Sequence, residues 1–236
     1  MQITSTTNQH IKEIRKLGSA AARAKSGRFV AEGEDLYEAA HAAGKVALYA
    51  ACADGLGQGR PNHFEVERTV LNQASRLGSG TRVIAVYEQQ WSTVTGRFVI
   101  ALWGVGDPGN VGTIIRAAHG FGASSVALGP GCADPYGPKA VRASMGSIFA
   151  VALARFAQID ELPAPLIALA PGGHEPLRGP LTDATLLVGS ERDGLPSEVL
   201  AASDRVCSIP QAAGDSLNAA MAATVALYEA TRMAAP

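Results

Sequence analysis

The sequence predicts an α/β protein in two parts: a small mixed unit over residues 1–90 and a larger domain over 97–236 built on a parallel sheet. Three observations carry this. Five apolar runs in the later part are FVIALW (98–103), SVAL (125–128), LIAL (166–169), TLLV (185–188) and RVCSI (205–209). They lack clean alternation and fit strands covered on both faces. Helical patterns at 111–121, 139–147 and 216–233 fall between or after those runs, and strand–helix alternation of this kind builds parallel sheets with right-handed crossovers. The earlier part instead mixes short helical and extended segments, and the polar stretch 89–96 reads as a linker.

Residues 6–26 read as one helix, with Ile11, Ile14 and Leu17 at helical spacing and Lys12, Arg15 and Lys16 facing elsewhere. A short strand follows at 28–31, then a helix at 34–43 that Gly44 ends. VALYA (46–50) and RVIAVYE (82–88) read as strands, separated by a glycine-rich turn region at 55–61 and a helix at 68–77. In the later part the Ala-rich C-terminal helix can pack closely against a neighbour. Ligands of parallel α/β sheets bind beyond the carboxyl ends of the strands, which directs attention to the loops there.

At 236 residues, 47% hydrophobic and 17% charged, the chain can bury a real core and is too apolar for wholesale disorder. A net charge of −1 excludes a strongly basic nucleic-acid binder but not a local basic patch. Cys52, Cys132 and Cys207 form neither a CxxC pair nor a Cys/His metal spacing. They read as small, reduced side chains of a cytoplasmic protein, and no metal site is expected. No secretory signal is read at the N-terminus, and no apolar run is long enough to span a bilayer. GxxxxGK[ST], HExxH, GxSxG and a GxGxxG after a strand are absent. Phosphohydrolase, zinc-protease, lipase and dinucleotide oxidoreductase chemistry therefore lose ground.

Three loops that follow predicted strands are unusual. The first, GDPGNVG (106–112), leads into TIIRAAHGFGA; Asn110 sits where a helix N-cap belongs. Arg116 follows six residues later on a mostly apolar helix. It is either a solvent-facing, snorkelling side chain or a cation that approaches a phosphate or a reacting hydroxyl. The second, GSERDGLP (189–196), opens with Gly189, where a missing side chain lets a ligand approach the backbone, although a plain strand-ending turn would read the same. The third, IPQAAGDSLN (209–218), enters the last helix. Ser216 or Asp215 can cap that helix, and backbone donors among small residues suit a polar small molecule.

In order, DPGNVGTIIRAAHGFGA, LLVGSERDGLP and IPQAAGDSLNAAMAATVALYEA resemble the three signature motifs of the SpoU/TrmH branch of the SPOUT methyltransferases. KAVRASMGSIF (139–149) resembles the intermediate stretch of that family, and the ITSTTNQHIKEIRKL opening with GRFVAEG resembles an N-terminal, L30e-like substrate-binding domain, a ribosomal-protein fold. The resemblance implies a parallel-sheet SPOUT domain with a trefoil knot and a homodimer formed through it. It also implies transfer of a methyl group from S-adenosylmethionine to a ribose 2′-hydroxyl, with 23S rRNA the favoured substrate. A tRNA substrate and a non-catalytic RNA-binding protein on the same fold are the alternatives, and a different small-molecule α/β enzyme stands outside the family reading.

By the same resemblance, Gly189, Ile209 and Leu217 match positions that contact the methyl donor. Arg116 matches the arginine thought to assist deprotonation of the hydroxyl. A guanidinium stays protonated, so a charge that stabilises the alkoxide and positions phosphate is the favoured role. Asn110, Glu191, Ser216 and Asn218 match polar site residues, the first two organising loops and substrate, the others shaping donor pocket and acceptor approach. Gln211 stands where Met is frequent, and Ala219-Ala220-Met221 replaces a more Val/Ser-rich run. For RNA contact, residues 1–30 hold six cations against the single acid Glu13. Arg15, Lys16 and Arg23 are candidates for phosphate, or for an ordinary solvated helix face. Lys139 and Arg142 join them, whereas Tyr37, Phe64 and Tyr136 are read as packing groups before base-stacking ones.

Overall fold

The structure is a computed structural model that describes residues 2–76, 80–181, 183–212 and 217–232. Along the chain run α1 (Gln9–Lys16), α2 (Ala20–Ser26), β1 (Arg28–Glu32), α3 (Glu34–Ala42), β2 (Tyr49–Cys52), β3 (His63–Glu65), α4 (Arg68–Ala74) and β4 (Val83–Glu88). Then come β5 (Phe98–Leu102), α5 (Pro108–Gly120), β6 (Ser125–Leu128), α6 (Pro138–Ala143), β7 (Ala152–Arg155) and β8 (Leu166–Leu169). The last elements are β9 (Glu175–Pro176), β10 (Ala184–Val188), α7 (Ser197–Ala201), β11 (Arg205–Ser208) and α8 (Ala219–Thr231). They form two compact units: Met1–Gln89 with Asp134–Phe149, and Gln90–Ala133 with Ala150–Pro236.

In the first unit the sheet order is β1-β4-β2-β3, with β4 antiparallel to β1 and β2, and β3 parallel to β2. One face packs Tyr49, Ala51, Ile84 and Val86 against Ile11, Ile14 and Leu17 from α1 and its cap and Val70 and Leu71 of α4. A second group joins Phe29 of β1 and Tyr87 of β4 to Tyr136 and Phe149, with ring centroids 4.7 Å apart for Phe29–Tyr136 and 4.9 Å for Tyr87–Phe149. Burial of these rings is what draws 134–149, which the motif order groups with the later half, into the first unit.

The single helix expected over 6–26 is two helices. Leu17 caps α1, Gly18 follows, and Ser19 caps α2 by accepting from Ala22 N at 3.3 Å. Gly is a poor interior helix residue and Ser a good cap, and together they outweigh the apolar period. The break also settles Arg23. It is 4% exposed; its Nη2 pairs with Asp134 Oδ2 at 2.7 Å, and its Nη1 donates to the Leu17 carbonyl at 2.9 Å. Arg23 is thus not the phosphate contact read from the sequence. It is a buried charge spent on pinning the α1–α2 turn to the 134–149 stretch, which composition alone could not reveal.

In the second unit the sheet order is β7-β6-β5-β10-β8-β11-β9, and every pairing is parallel. All residues of β5 and β10 are buried, as the unalternating runs require of central strands. From β5 the chain steps outward through β6 to β7, returns to place β8 two positions away on the other side, and fills the gap with β10. The strand order therefore reverses beside β5, where such sheets open a crevice at their carboxyl ends. The strands β3, β7 and β9, unexpected from the sequence, are short and lie at sheet edges.

No described helix is long and apolar enough to cross a membrane. Cys52, Cys132 and Cys207 are unpaired; Cys52 and Cys207 are buried and Cys132 half-buried. Burial, reinforced by the Glu65 carboxylate, pushes the Cys52 thiol up to about 11.

Candidate functional site

The loop after β5 turns into α5 through Asp107, whose side chain accepts from Gly109 N at 2.7 Å and Asn110 N at 3.0 Å, with Pro108 in the first turn. The cap read from the sequence at Asn110 is therefore three residues too late. Proline fits the position just inside a helix start, and Asp107 stands directly before it. That assignment frees the Asn110 side chain. Its Nδ2 donates to Glu191 Oε1, and its Oδ1 accepts from Asn218 Nδ2 at 3.2 Å.

Asn218 uses both ends of its amide. While Nδ2 reaches Asn110, Oδ1 caps α8 by accepting from Ala220 N at 3.0 Å and Met221 N at 3.3 Å. The cap is thus Asn218 rather than Ser216 or Asp215, both of which lie outside the described residues. The other ends of the two helices also meet, since the rings of Phe121, the C-cap of α5, and Tyr228 of α8 lie 6.2 Å apart, edge to face. Contact at both starts and both ends means that α5 and α8 run parallel, side by side.

Between them in sequence, the loop after β10 closes on itself. Ser190 and Gly194 exchange two backbone hydrogen bonds of 3.2 Å, and Asp193 N donates to Ser190 Oγ at 3.1 Å. A Cβ at Gly189 would stand 2.3 Å from the Gly194 carbonyl carbon and 2.5 Å from Leu195 N. On its Cβ side the space is taken by the chain's own backbone, so Gly189 also lets the loop fold back.

The carboxyl ends of β8, β10 and β11 and the start of α8 enclose a cleft of about 350 Å³, within the usual range of small-molecule sites. Gly189, Ile209 and Leu217 line it together with Val188, Ala219 and Ala222, and Glu191, Arg192, Asp193 and Gln211 add polar groups. Leu169, Ala170 and Pro171 complete the wall. Sequence reading missed these three because nothing in the order of the chain places β8 between β10 and β11. Small apolar side chains and backbone edges beside a few polar groups suit a ligand with a flat ring and a polar tail.

Arg116 stands apart from this cleft. It lies six residues beyond Asn110, about 9 Å along the axis of α5. It is exposed and makes no ion pair or hydrogen bond among the described residues. The structure therefore links Asn110, Glu191 and Asn218 directly, puts Gly189, Ile209 and Leu217 in one cleft beside them, and leaves Arg116 as a solvent-facing cation on a helix anchored in that network.

Residues 97–228 match the SpoU rRNA Methylase family. The chain belongs to that family. An uncharacterised tRNA/rRNA methyltransferase of Synechocystis is 32% identical over 98% of this chain and 93% of its own length. The 23S rRNA (guanosine(2553)-2′-O)-methyltransferase RlmP of Bacillus subtilis is 29% identical over 96% of this chain and 98% of its own length. Among solved structures, an AdoMet-bound rRNA methyltransferase from Sinorhizobium meliloti superposes with a TM-score of 0.87 at 32% identity, covering 98% of this chain and 97% of that one.

In this SpoU-family chain the remaining sequence candidates fall in the first unit. Arg15 and Lys16 occupy the last turn of α1, Lys139 and Arg142 lie on α6, and all four are exposed. Tyr136 is buried, and Phe64 stacks on His10 with centroids 4.4 Å apart, so both are packing groups. Tyr37 Oη is hydrogen-bonded to His63 Nε2 at 2.7 Å and to Arg60 Nη1 at 2.8 Å.

Proposed function

We propose that this chain transfers a methyl group from S-adenosylmethionine to a ribose 2′-hydroxyl of ribosomal RNA, with 23S rRNA the substrate. The observation that carries the reading is the chain of side-chain amides and carboxylate, Glu191–Asn110–Asn218, that ties three separated motif loops together beside a cleft of ligand size. The near full-length likeness to a 23S rRNA ribose methyltransferase favours that substrate.

The bound donor supplies an electrophilic methyl on a sulfonium sulfur. Gly189, Ile209 and Leu217 would hold it through backbone edges and apolar contact in the cleft. Asn110, Glu191 and Asn218 keep the motif loops in register, because each amide is committed at both ends. By its motif position, Arg116 on α5 would stabilise charge on the acceptor oxygen as its proton leaves and hold a neighbouring phosphate, although it does not line the cleft; being protonated, it acts by charge and not as a base. Placement is the main catalytic resource: acceptor oxygen, methyl carbon and sulfur must lie in line.

Three structural expectations belong to this reading. The C-terminal segment forms the trefoil knot, supported by Leu181 N, which donates to Ala230 O at 2.6 Å and so lays the 179–181 stretch against the end of α8. The second unit pairs with a second copy, supported by Met221, Val225 and Tyr228, which are 62%, 43% and 55% exposed in one stripe of α8. The first unit is an L30e-like RNA-binding domain, supported by its exposed cations on α1 and α6, and the enzyme works in the cytoplasm. The deciding experiment incubates the chain with tritiated S-adenosylmethionine and deproteinised rRNA, then maps 2′-O-methyl positions. Label in one 23S ribose is expected; absence of transfer to any rRNA or precursor ribosomal particle would remove the proposal.

A further inference from the structure

We infer that the first unit holds a pocket for one unpaired base of the RNA, roofed by the guanidinium of Arg76. The inference rests on the chain's acting on RNA, but on none of the residues of the methyl-transfer cleft.

A cavity of about 330 Å³ opens in the first unit, and its walls include Ile14, Val30, Leu36 and Val141, one apolar side chain each from α1, β1, α3 and α6. Arg76, Lys139 and Arg142 also line it. A second, shallower depression shares Ala74 and Arg76 with the first and adds Lys12, Arg15 and Lys16. Three cations therefore line the apolar slot, and three more line the depression that adjoins it, in a protein whose net charge is −1. The acid that lines the slot, Glu32, accepts from Ser75 Oγ and, at 3.0 Å, from Arg76 N. It thereby fixes the backbone from which Arg76 springs.

Gly18 gives Arg76 its seat. A Cβ at residue 18 would stand 1.7 Å from Arg76 Nη2 and 2.1 Å from its Cζ, so the guanidinium lies directly over the bare backbone where α1 gives way to α2. Both Gly18 and Arg76 line the slot. A planar cation above an apolar floor is what a splayed-out base stacks on, and the flanking phosphates find the surrounding Lys and Arg side chains. Extruding a paired base costs free energy that an already unpaired one does not require, which selects a bulge or loop over a regular duplex.

The test uses the intact chain and fluorescence anisotropy with two probes, a short RNA duplex with a single-nucleotide bulge and the same duplex with an abasic residue at the bulge. Wild type is expected to bind the bulged RNA at least about fivefold more tightly than the abasic one, as loss of one stacked base would give. Arg76→Ala should erase that preference, and any loss of affinity from the removed charge should fall on both probes alike. Gly18→Ala, which displaces the guanidinium without removing charge, should do the same with an unchanged unfolding midpoint. Lys139→Ala/Arg142→Ala should instead weaken both probes alike and flatten the salt dependence. Equal binding of the two probes by wild type, or a preference retained by Arg76→Ala, overturns the inference. Calorimetric titration of the same samples with S-adenosylmethionine reports on the methyl-transfer reading separately, so the two can fail independently.

Discussion

Replacing Asn218 separates two duties carried by one amide. Asn218→Ala removes the cap of α8, worth about 1 kcal/mol. It also removes the hydrogen bond to Asn110, which is solvent-exposed and so placed at the low end, about 0.5 kcal/mol. A loss of about 1.5 kcal/mol lowers the melting midpoint of a chain this size by about 3–6 °C. Asn218→Asp keeps an acceptor for Ala220 N and Met221 N but has no Nδ2 donor, and it sets two acceptor oxygens against each other at Asn110. Its stability should stay within about 0.5 kcal/mol of wild type, because Asp caps as well as Asn. Its methyl transfer should fall as far as that of Asn218→Ala. The assay pairs thermal unfolding followed by circular dichroism with tritium transfer to rRNA under single-turnover conditions. Should Asn218→Asp transfer methyl at the wild-type rate, the bridge to Asn110 has no part in the site; should it melt as early as Asn218→Ala, the capping arithmetic is wrong.

Arg116→Ala should lower methyl transfer at least about 100-fold, the scale of losing one charge-stabilising group, with S-adenosylmethionine affinity unchanged by calorimetry; near-normal turnover would leave this arginine as surface. Gly189→Ala forces a Cβ against the Gly194 and Leu195 backbone. Donor affinity should drop about tenfold as the overpacked loop shifts, and an unchanged Kd would mean that the loop does not hold the donor. Arg15→Glu/Lys16→Glu should weaken RNA binding and reduce its salt slope at constant stability. Arg23→Ala should destabilise by about 1.5–3 kcal/mol, since charge-assisted hydrogen bonds of a buried guanidinium are lost, and equal melting midpoints for these two variants would contradict the burial seen at Arg23. Met221→Asp/Tyr228→Glu should shift the light-scattering mass toward a single copy, and a mass that does not change would place any interface elsewhere.

The parallel sheet was legible because each of its central strands is an unbroken apolar run, and the three polar loops were legible because glycine, proline and small polar residues are punctuation. Their convergence was implied by the family resemblance and not by any local pattern. Nothing local says that β10 slides between β5 and β8, and that insertion is what brings Leu169–Pro171 and Gly189 to one cleft. Local chemistry also misled where two rules competed. Asn110 looks like a cap until Asp107 and Pro108 are seen to fill that role, and the residue thus released becomes the centre of the polar link. Arg23 looks like its exposed neighbours because a salt bridge across 111 positions leaves no trace in a helix pattern. Gly18 reads as a weak helix position, and only the guanidinium resting on it gives the glycine a second reason.

Two helices that leave a common seam in the same direction work as a ruler. Arg116 is a fixed number of turns from the seam on one edge, and Met221, Val225 and Tyr228 are graduations on the other. A slide of one helix past the other by a single residue's rise, about 1.5 Å, at right angles to the 3.2 Å amide bridge would bring it to the edge of hydrogen-bond range, about 3.5 Å. If a second copy pairs through that stripe of α8, as proposed, its push is passed by the amide bridge to α5 and so to the helix that carries Arg116.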